Sequence, residues 1–430
     1  MREKIVIIGN GIAGTTVARH VRKNSDSEII VVGSESPFLF ARTALMYVYM
    51  GSLTLTDIKL YEDWFWKKNR IQLRYDTAST ADFSAKTIRL DGGESLGYDR
   101  LVLATGSRPN RLSVPGEDLV GVSAFYSLGD LERIQDLTRG GRKAVVIGGG
   151  LIGVELAEML VSRGIQVTFL VREARYLESV LPAEESELIA GEIRSHGINL
   201  VFGETVAAVT SRNGRTVSGV RTESGETYEA DFVGVAIGVG PNVEFAARNS
   251  IPISRGIVVN EFFETQVPDV YAVGDCVEFE RSGIGHKMIE QLWYSASRHG
   301  IALASNLTGV PVPYDRHVFY NSAKFFELEY QTYGSVPADS DERNSVVWSD
   351  GHRLIRIVFD PAKNTVLGFS SLGVRMRQAK CVEWIQNGDG VQDVVARIHQ
   401  ALFDPEFTRR LDRQAFRVQQ VNPNVRASVS

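Results

Sequence analysis

Lys4-Ile5-Val6-Ile7-Ile8-Gly9-Asn10-Gly11-Ile12-Ala13-Gly14 passes from a short apolar run into a glycine turn and then into small and apolar residues. The Ile/Val run predicts a strand buried on both faces, Ile12 to Val21 a helix, and Glu28 to Val32 a second strand, which together make a βαβ unit. The glycines of Gly9-x-Gly11-x-x-Gly14 allow a tight bend, close approach of pyrophosphate to backbone, and close helix packing. The helix start adds N–H donors and a positive dipole end. Glu35, 21 residues beyond Gly14, stands where a carboxylate accepts hydrogen bonds from an adenosine ribose.

The same order returns about one domain's length later. Lys143 to Ile147 reads as a strand, Gly148-Gly149-Gly150-Leu151-Ile152-Gly153 as the turn, Leu151 to Arg163 as a helix and Gln166 to Val171 as a strand. Two nucleotide-binding domains follow. Eighteen residues beyond Gly153, where an NAD site would hold its ribose-binding acid, stands Val171, followed by Arg172. A guanidinium suits a 2′-phosphate better than a ribose diol, which points to NADPH; the alternative is a solvent-facing Arg172 with Glu173 serving the ribose.

Between the two units, residues 78–103 alternate and break at Asp91-Gly92-Gly93, as in a small antiparallel meander leading into Leu101-Val102-Leu103. Val270 to Val273 forms a further strand ending in Gly274-Asp275. From about Pro313 the sequence turns aromatic and alternating, as in Phe325 to Tyr330 and Arg353 to Phe359, and helical spacing follows in 377–387 and 391–402.

A length of 430 residues with 43% apolar and 23% charged side chains suits an ordinary folded protein of about three domains. The net charge of −5 gives no footprint for nucleic acid or anionic membrane. No apolar run approaches the ~20 residues of a spanning helix, and the N-terminus enters a strand pattern rather than a signal-peptide core. Two cysteines, Cys276 and Cys381, are too few for a disulfide scaffold or thiolate cluster, and the seven histidines lack metal spacing. A soluble, unprocessed protein of the reducing cytoplasm, without a metal, is expected.

On the two fingerprints, Leu101-Val102-Leu103-Ala104-Thr105-Gly106-Ser107-Arg108-Pro109, Ile237-Gly238-Val239-Gly240-Pro241-Asn242 and Val270-Tyr271-Ala272-Val273-Gly274-Asp275, the chain resembles the flavoproteins that bind two dinucleotides. These include ferredoxin and rubredoxin reductases, apoptosis-inducing factor, coenzyme A disulfide reductase and NADH oxidases. The resemblance implies an α/β fold of the glutathione-reductase type, with two interleaved Rossmann-like domains for FAD and NAD(P) plus an α+β C-terminal domain. The expected division is 1–115 with 245–312 for FAD, 116–244 for NAD(P)H, 313–418 for the C-terminal domain and 419–430 as a tail. By the same resemblance Gly9, Gly11, Gly14, Glu35, Arg42, Ala104, Thr105, Gly106, Gly274 and Asp275 hold FAD. Gly148, Gly150, Gly153 and Arg172 hold NADPH or NADH, and Gly106 and Gly238 mark the crossovers between domains. Glu155 would lie beside the nicotinamide and Trp293 near the isoalloxazine, with ordinary helix packing the other reading of Trp293.

Absences narrow the chemistry. Disulfide reductases of this kind need a CxxxxC or CxxC pair, and coenzyme A disulfide reductases a single redox cysteine where this chain has Thr43. A hydroxyl forms neither sulfenate nor mixed disulfide, so thiol-relay chemistry is disfavoured. Ferredoxin-reductase-like relatives carry Arg-Pro-Pro-Leu-Ser-Lys where this chain has Arg42-Thr43-Ala44-Leu45-Met46-Tyr47, which keeps the arginine and loses the lysine that pairs with the Glu155 equivalent. The expected function is hydride transfer from NAD(P)H to FAD and onward delivery to ferredoxin or rubredoxin. Quinone or oxygen reduction without a protein carrier, and redox sensing of the apoptosis-inducing-factor type, stay open as alternatives, and a homodimer is compatible with either. Trp64-Phe65-Trp66 reads as a helix end rather than a nucleic-acid platform, and Arg375, Arg377 and Lys380 as a solvated helix face rather than a basic docking face.

Overall fold

A computed structural model describes residues 2–280, 288–338, 344–404 and 416–419. The expected tail from 420 onward lies outside the described residues. Each stretch of β-branched residues forms the element its pattern predicts. Lys4–Ile8, Glu28–Gly33, Lys143–Ile147 and Gln166–Val171 are strands, and Ile12–Asn24 and Leu151–Ser162 are helices.

By contacts the chain divides into two compact units, residues 1–111, 123–139 and 238–316 in one and 112–122, 140–237 and 317–430 in the other. The first unit is organised by a parallel sheet in the order Val270–Ala272, Arg100–Leu103, Lys4–Ile8, Glu28–Gly33, Ile71–Tyr75. Its central strands are almost wholly buried, as parallel sheets covered on both faces require. Helix Trp293–Thr308 crosses Ile12–Asn24 at Gly300, where a Cβ would lie 2.7 Å from the Ala13 carbonyl oxygen. The meander is formed by Ala78–Asp82, Thr87–Leu90 and Ser95–Gly97, with its second turn at the expected Asp91-Gly92-Gly93.

The second unit holds another parallel run, Asn199–Phe202, Gln166–Val171, Lys143–Ile147 and Phe232–Val235. It also holds a six-stranded antiparallel sheet in the order Tyr320–Phe325, Leu328–Gly334, Thr365–Leu372, Leu354–Asp360, Asn344–Ser349, Arg417–Gln419. Most of segment 116–244, apart from 123–139 and 238–244, thus shares one unit with nearly all of 313–418, although each keeps its own apolar cluster, around Val145 and Val233 in one and around Phe369 and Trp384 in the other. A buried ion pair joins them. Arg356 (6% exposed) donates to both oxygens of Glu185 (0% exposed) at 2.7 and 2.9 Å, and Ser370 Oγ donates to Glu185 at 2.7 Å.

Three expectations change here. Phe325 to Tyr330 is not one strand but a hairpin whose turn is Phe326-Glu327, because Phe326 takes a left-handed φ of 54° and Phe325 pairs with Leu328. The helical spacing of 391–402 splits into helix Val391–Ala396 and a single tight turn, Ile398–Ala401. Trp64-Phe65-Trp66 lies in the middle of one short helix, Asp63–Lys68, rather than at a helix end.

Candidate active site

The two glycine turns have the same construction. Gly9 and Gly148 have φ of +114° and +110°, and a Cβ on either would lie 2.0 or 2.4 Å from a neighbouring carbonyl oxygen, that of Ala104 or Ala236. Gly14 and Gly153 sit so close to the turn that a Cβ would lie 2.1 or 2.2 Å from the oxygen of Gly9 or Gly148. At Gly11 and Gly150, by contrast, a Cβ would meet nothing within 4 Å, and neither helix start carries a side-chain cap. Each turn therefore presents uncapped helix N–H groups to open space, the arrangement a pyrophosphate fits. Ala104 serves as the wall against which Gly9 and Gly14 pack.

Around the first turn the polar residues converge. Arg42 grips Glu35 with both Nη atoms, at 2.9 and 2.5 Å, donates to the Tyr126 carbonyl at 2.8 Å and lies over the Tyr126 ring. Glu35 Oε1 also accepts from Leu128 N at 3.0 Å, so Oε2, with one protein donor, keeps acceptor capacity for a hydroxyl. Thr105 Oγ1 donates to the Asn242 carbonyl at 2.6 Å, and Asn242 N to the Gly106 carbonyl at 2.8 Å. Strands Ser107–Pro109 and Val239–Pro241 run antiparallel there, with Gly106 and Gly238 both at positive φ, +71° and +90°.

Asp275 follows Gly274 at the end of strand Val270–Ala272. Its carboxylate accepts from Ser107 Oγ at 3.0 Å, and Ser107 Oγ in turn accepts from Gln291 Nε2 at 2.8 Å. Burial pushes the Asp275 carboxyl above the usual range, opposed by Ser107, His299 and Arg42. Two residues after Gln291, the half-buried Trp293 begins its helix, whose N-terminus has no side-chain cap. Ser107 stands inside the quoted segment 101–109 and Gln291 two residues before Trp293, but neither is among the expected site residues, since a lone Ser or Gln carries no positional signal.

In the second unit, Glu155 is half-buried on the helix that follows the Gly148 turn. Burial, and then the Glu158 carboxylate, push its pKa up to about 7. Tyr176, fully buried, donates from its hydroxyl to the Gly150 carbonyl at 3.1 Å. Val171 is buried under the turn, and a Cβ on Gly149 would lie 2.7 Å from its Cγ1. Arg172 is 75% exposed and bonds Glu173 at 3.0 Å.

Both cysteines are buried and free, and burial pushes both thiols up. Neither is poised as a thiolate. No group of metal-holding side chains occurs among the described residues, and none of their helices is long and apolar enough to cross a membrane. The basic residues of the C-terminal segment are engaged: Arg375 pairs with Glu329, Lys380 with Glu383, and Arg377 donates to the Phe403 carbonyl.

The family profile described as pyridine nucleotide-disulphide oxidoreductase matches residues 3–300. Nitrite reductase [NAD(P)H] of Bacillus subtilis is 31% identical over 350 residues, 80% of this chain and 42% of that protein. The chain thus spans less than half the length of that relative. The ferredoxin–NAD(+) reductase component of the p-cumate 2,3-dioxygenase system of Pseudomonas putida is 30% identical over 411 residues, 95% of this chain and 98% of that protein. A ferredoxin reductase structure from Rhodopseudomonas palustris superposes with a TM-score of 0.79 at 26% identity, covering 86% of this chain and 91% of that one.

Proposed function

Because the chain belongs to the pyridine nucleotide-disulphide oxidoreductase family, we propose that it is an FAD-dependent NAD(P)H oxidoreductase that delivers electrons to a small iron-sulfur carrier, ferredoxin or rubredoxin. The observation that carries this reading is the pair of equivalent glycine turns, each opening an uncapped helix onto space that a Cβ does not fill. Bound FAD supplies an acceptor for the hydride of NAD(P)H and a donor to the carrier. The near full-length match to a ferredoxin reductase component supports the choice of carrier. Buried, free thiols leave no side-chain relay and suit a reducing cytoplasm.

The chain's own residues bind and orient. The Gly9 turn and Glu35 hold the adenosine half of FAD, with Arg42 fixing Glu35. Asp275, oriented by Ser107, holds the ribityl or pyrophosphate portion. The helix opening at Trp293 offers a positive end to the negative charge of reduced flavin. The Gly148 turn holds the pyrophosphate of NAD(P)H, with Glu155 beside the nicotinamide.

Purified protein should be yellow and release FAD, not FMN, on denaturation, as chromatography of the free flavin will show. Anaerobic addition of NAD(P)H should bleach the flavin, and reduced protein should then reduce ferredoxin or rubredoxin faster than quinone or oxygen. A protein that cannot be loaded with FAD removes the reading, and bleaching without carrier reduction removes the choice of acceptor.

The coenzyme should be NADPH. Val171 offers no acceptor to a ribose diol, while the exposed Arg172 offers a donor to a 2′-phosphate. A charge-assisted bond contributes about 1.5–3 kcal/mol, so Arg172→Ala should lower kcat/KM for NADPH by roughly ten- to a hundredfold and leave NADH nearly unchanged. Glu173→Gln, which frees Arg172 from its neighbour, should move NADPH use upward. Steady-state kinetics with both coenzymes decides this; an Arg172→Ala protein indistinguishable from wild type makes Arg172 a surface residue.

A further inference from the structure

We infer that His299 is a positioning residue for the flavin, a role that rests on the reading above: its ring ties the Gly274-Asp275 turn to the half-buried carboxylate of Glu290. His299 is 0% exposed, on the helix that opens at Trp293. Gly274 N donates to His299 Nδ1 at 3.2 Å, so this nitrogen is the acceptor and the ring proton sits on Nε2. Nε2 faces Glu290 Oε2 at 3.2 Å and donates to it. A backbone N–H on one side and a carboxylate on the other thus fix both the tautomer and the plane of the ring.

Glu290 is itself held. Tyr314 Oη donates to Oε2 at 3.3 Å, and Arg316 Nε lies 3.5 Å from Oε1. Burial pushes the Glu290 carboxyl up, but His299, Arg316 and Tyr314 outweigh it and hold the group below the usual carboxylate range, so Glu290 is an acceptor. The imidazole lies among the rings of Phe263, Phe279 and Tyr314, with centroids 5.1, 5.6 and 4.8 Å away.

The turn it holds has no side-chain anchor at its first position. Gly274 has φ of +81°, and a Cβ there would lie 2.8 Å from the Ala13 Cβ, so its N–H is the available handle. Ser107 orients the Asp275 carboxylate, and His299 fixes the backbone that carries it. The cost of ordering this turn is met in the protein before the cofactor arrives, which is where preorganisation adds affinity.

The test compares holoenzymes by the rate of FAD release, followed by flavin fluorescence after dilution, alongside the melting temperature of each apoprotein. His299→Leu fills the space but accepts no hydrogen bond, whereas His299→Asn places an amide oxygen near the Nδ1 position but packs less well. His299→Leu should release FAD about five- to tenfold faster than wild type, the effect of one lost hydrogen bond. His299→Asn should stay within about threefold despite the lower melting temperature. A packing role alone reverses that order, so faster release from Asn than from Leu overturns the inference, as does wild-type release from Leu. A wild-type protein that binds no FAD overturns the functional reading instead.

Discussion

Arg356→Met is expected to destabilise the protein by about 3–5 kcal/mol, the usual cost of stranding one partner of a buried ion pair. Glu185 is completely enclosed and takes two hydrogen bonds from Arg356 and one from Ser370, while Arg356 also reaches Glu184 at 2.7 Å and Ser345 at 2.7 Å. With the guanidinium removed, the carboxylate must be buried uncompensated or take up a proton. Adding Glu185→Leu to Arg356→Met removes the stranded charge and should recover most of the loss. Thermal unfolding of the full-length chain reads both: the single variant should melt well below wild type and the double variant near it. If the single variant melts within about 2 °C of wild type, the pair is not what joins the C-terminal sheet to helix Ala183–Ser195.

Glu155→Gln should slow flavin reduction at pH 8 by about ten- to a hundredfold, roughly 1.4–2.8 kcal/mol of barrier. Hydride loss leaves positive charge on a nicotinamide ring, and on the proposed placement an ionised Glu155 beside it would stabilise that charge. With a carboxyl whose pKa is pushed up to about 7, the group is neutral below this pH and ionised above it. The wild-type rate should therefore rise through about pH 7 and level off, while the Gln variant stays flat. Stability runs the other way. A pKa raised on folding contributes stability that is fully present below the ordinary carboxylate value and is lost as pH rises through about 7. Wild type should lose about 1–3 kcal/mol across that window, and Glu155→Gln should not. Stopped-flow reduction and melting at pH 5 and pH 8 measure both, and a Gln variant that keeps the wild-type pH–rate profile would remove Glu155 from the chemistry.

The elements around both turns were legible because their signals are local. Lys4–Ile8 and Lys143–Ile147 are rich in consecutive β-branched residues, and Gly9, Gly14, Gly148 and Gly153 are forced by backbone atoms within a few residues or next to the adjoining strand. Phe326 defeated the same reasoning, since a phenylalanine in the left-handed region is not what a hairpin turn announces in sequence. The buried polar pairs were illegible for a different cause. Glu185 and Arg356 meet across 171 positions, and each alone reads as an ordinary surface charge. His299, between Arg298 and a glycine, gives no hint that its two nitrogens are spoken for. Ser107 sits inside a recognised segment, yet only folding brings Asp275 and Gln291 to its hydroxyl.

The discontinuous first unit also sets an order of events on the ribosome. Strand Arg100–Leu103 pairs with Val270–Ala272, some 170 residues later, a gap of about 10–30 s at typical elongation rates. During it the strands of the second parallel sheet, Lys143 through Val235, have all emerged, while the first sheet still shows an unpaired edge. Such an edge invites foreign strands and is a natural client for chaperones. The strands of the second parallel sheet are therefore all translated before the first sheet can gain its Val270–Ala272 edge, and on the proposed reading a flavin site that includes Asp275 forms late.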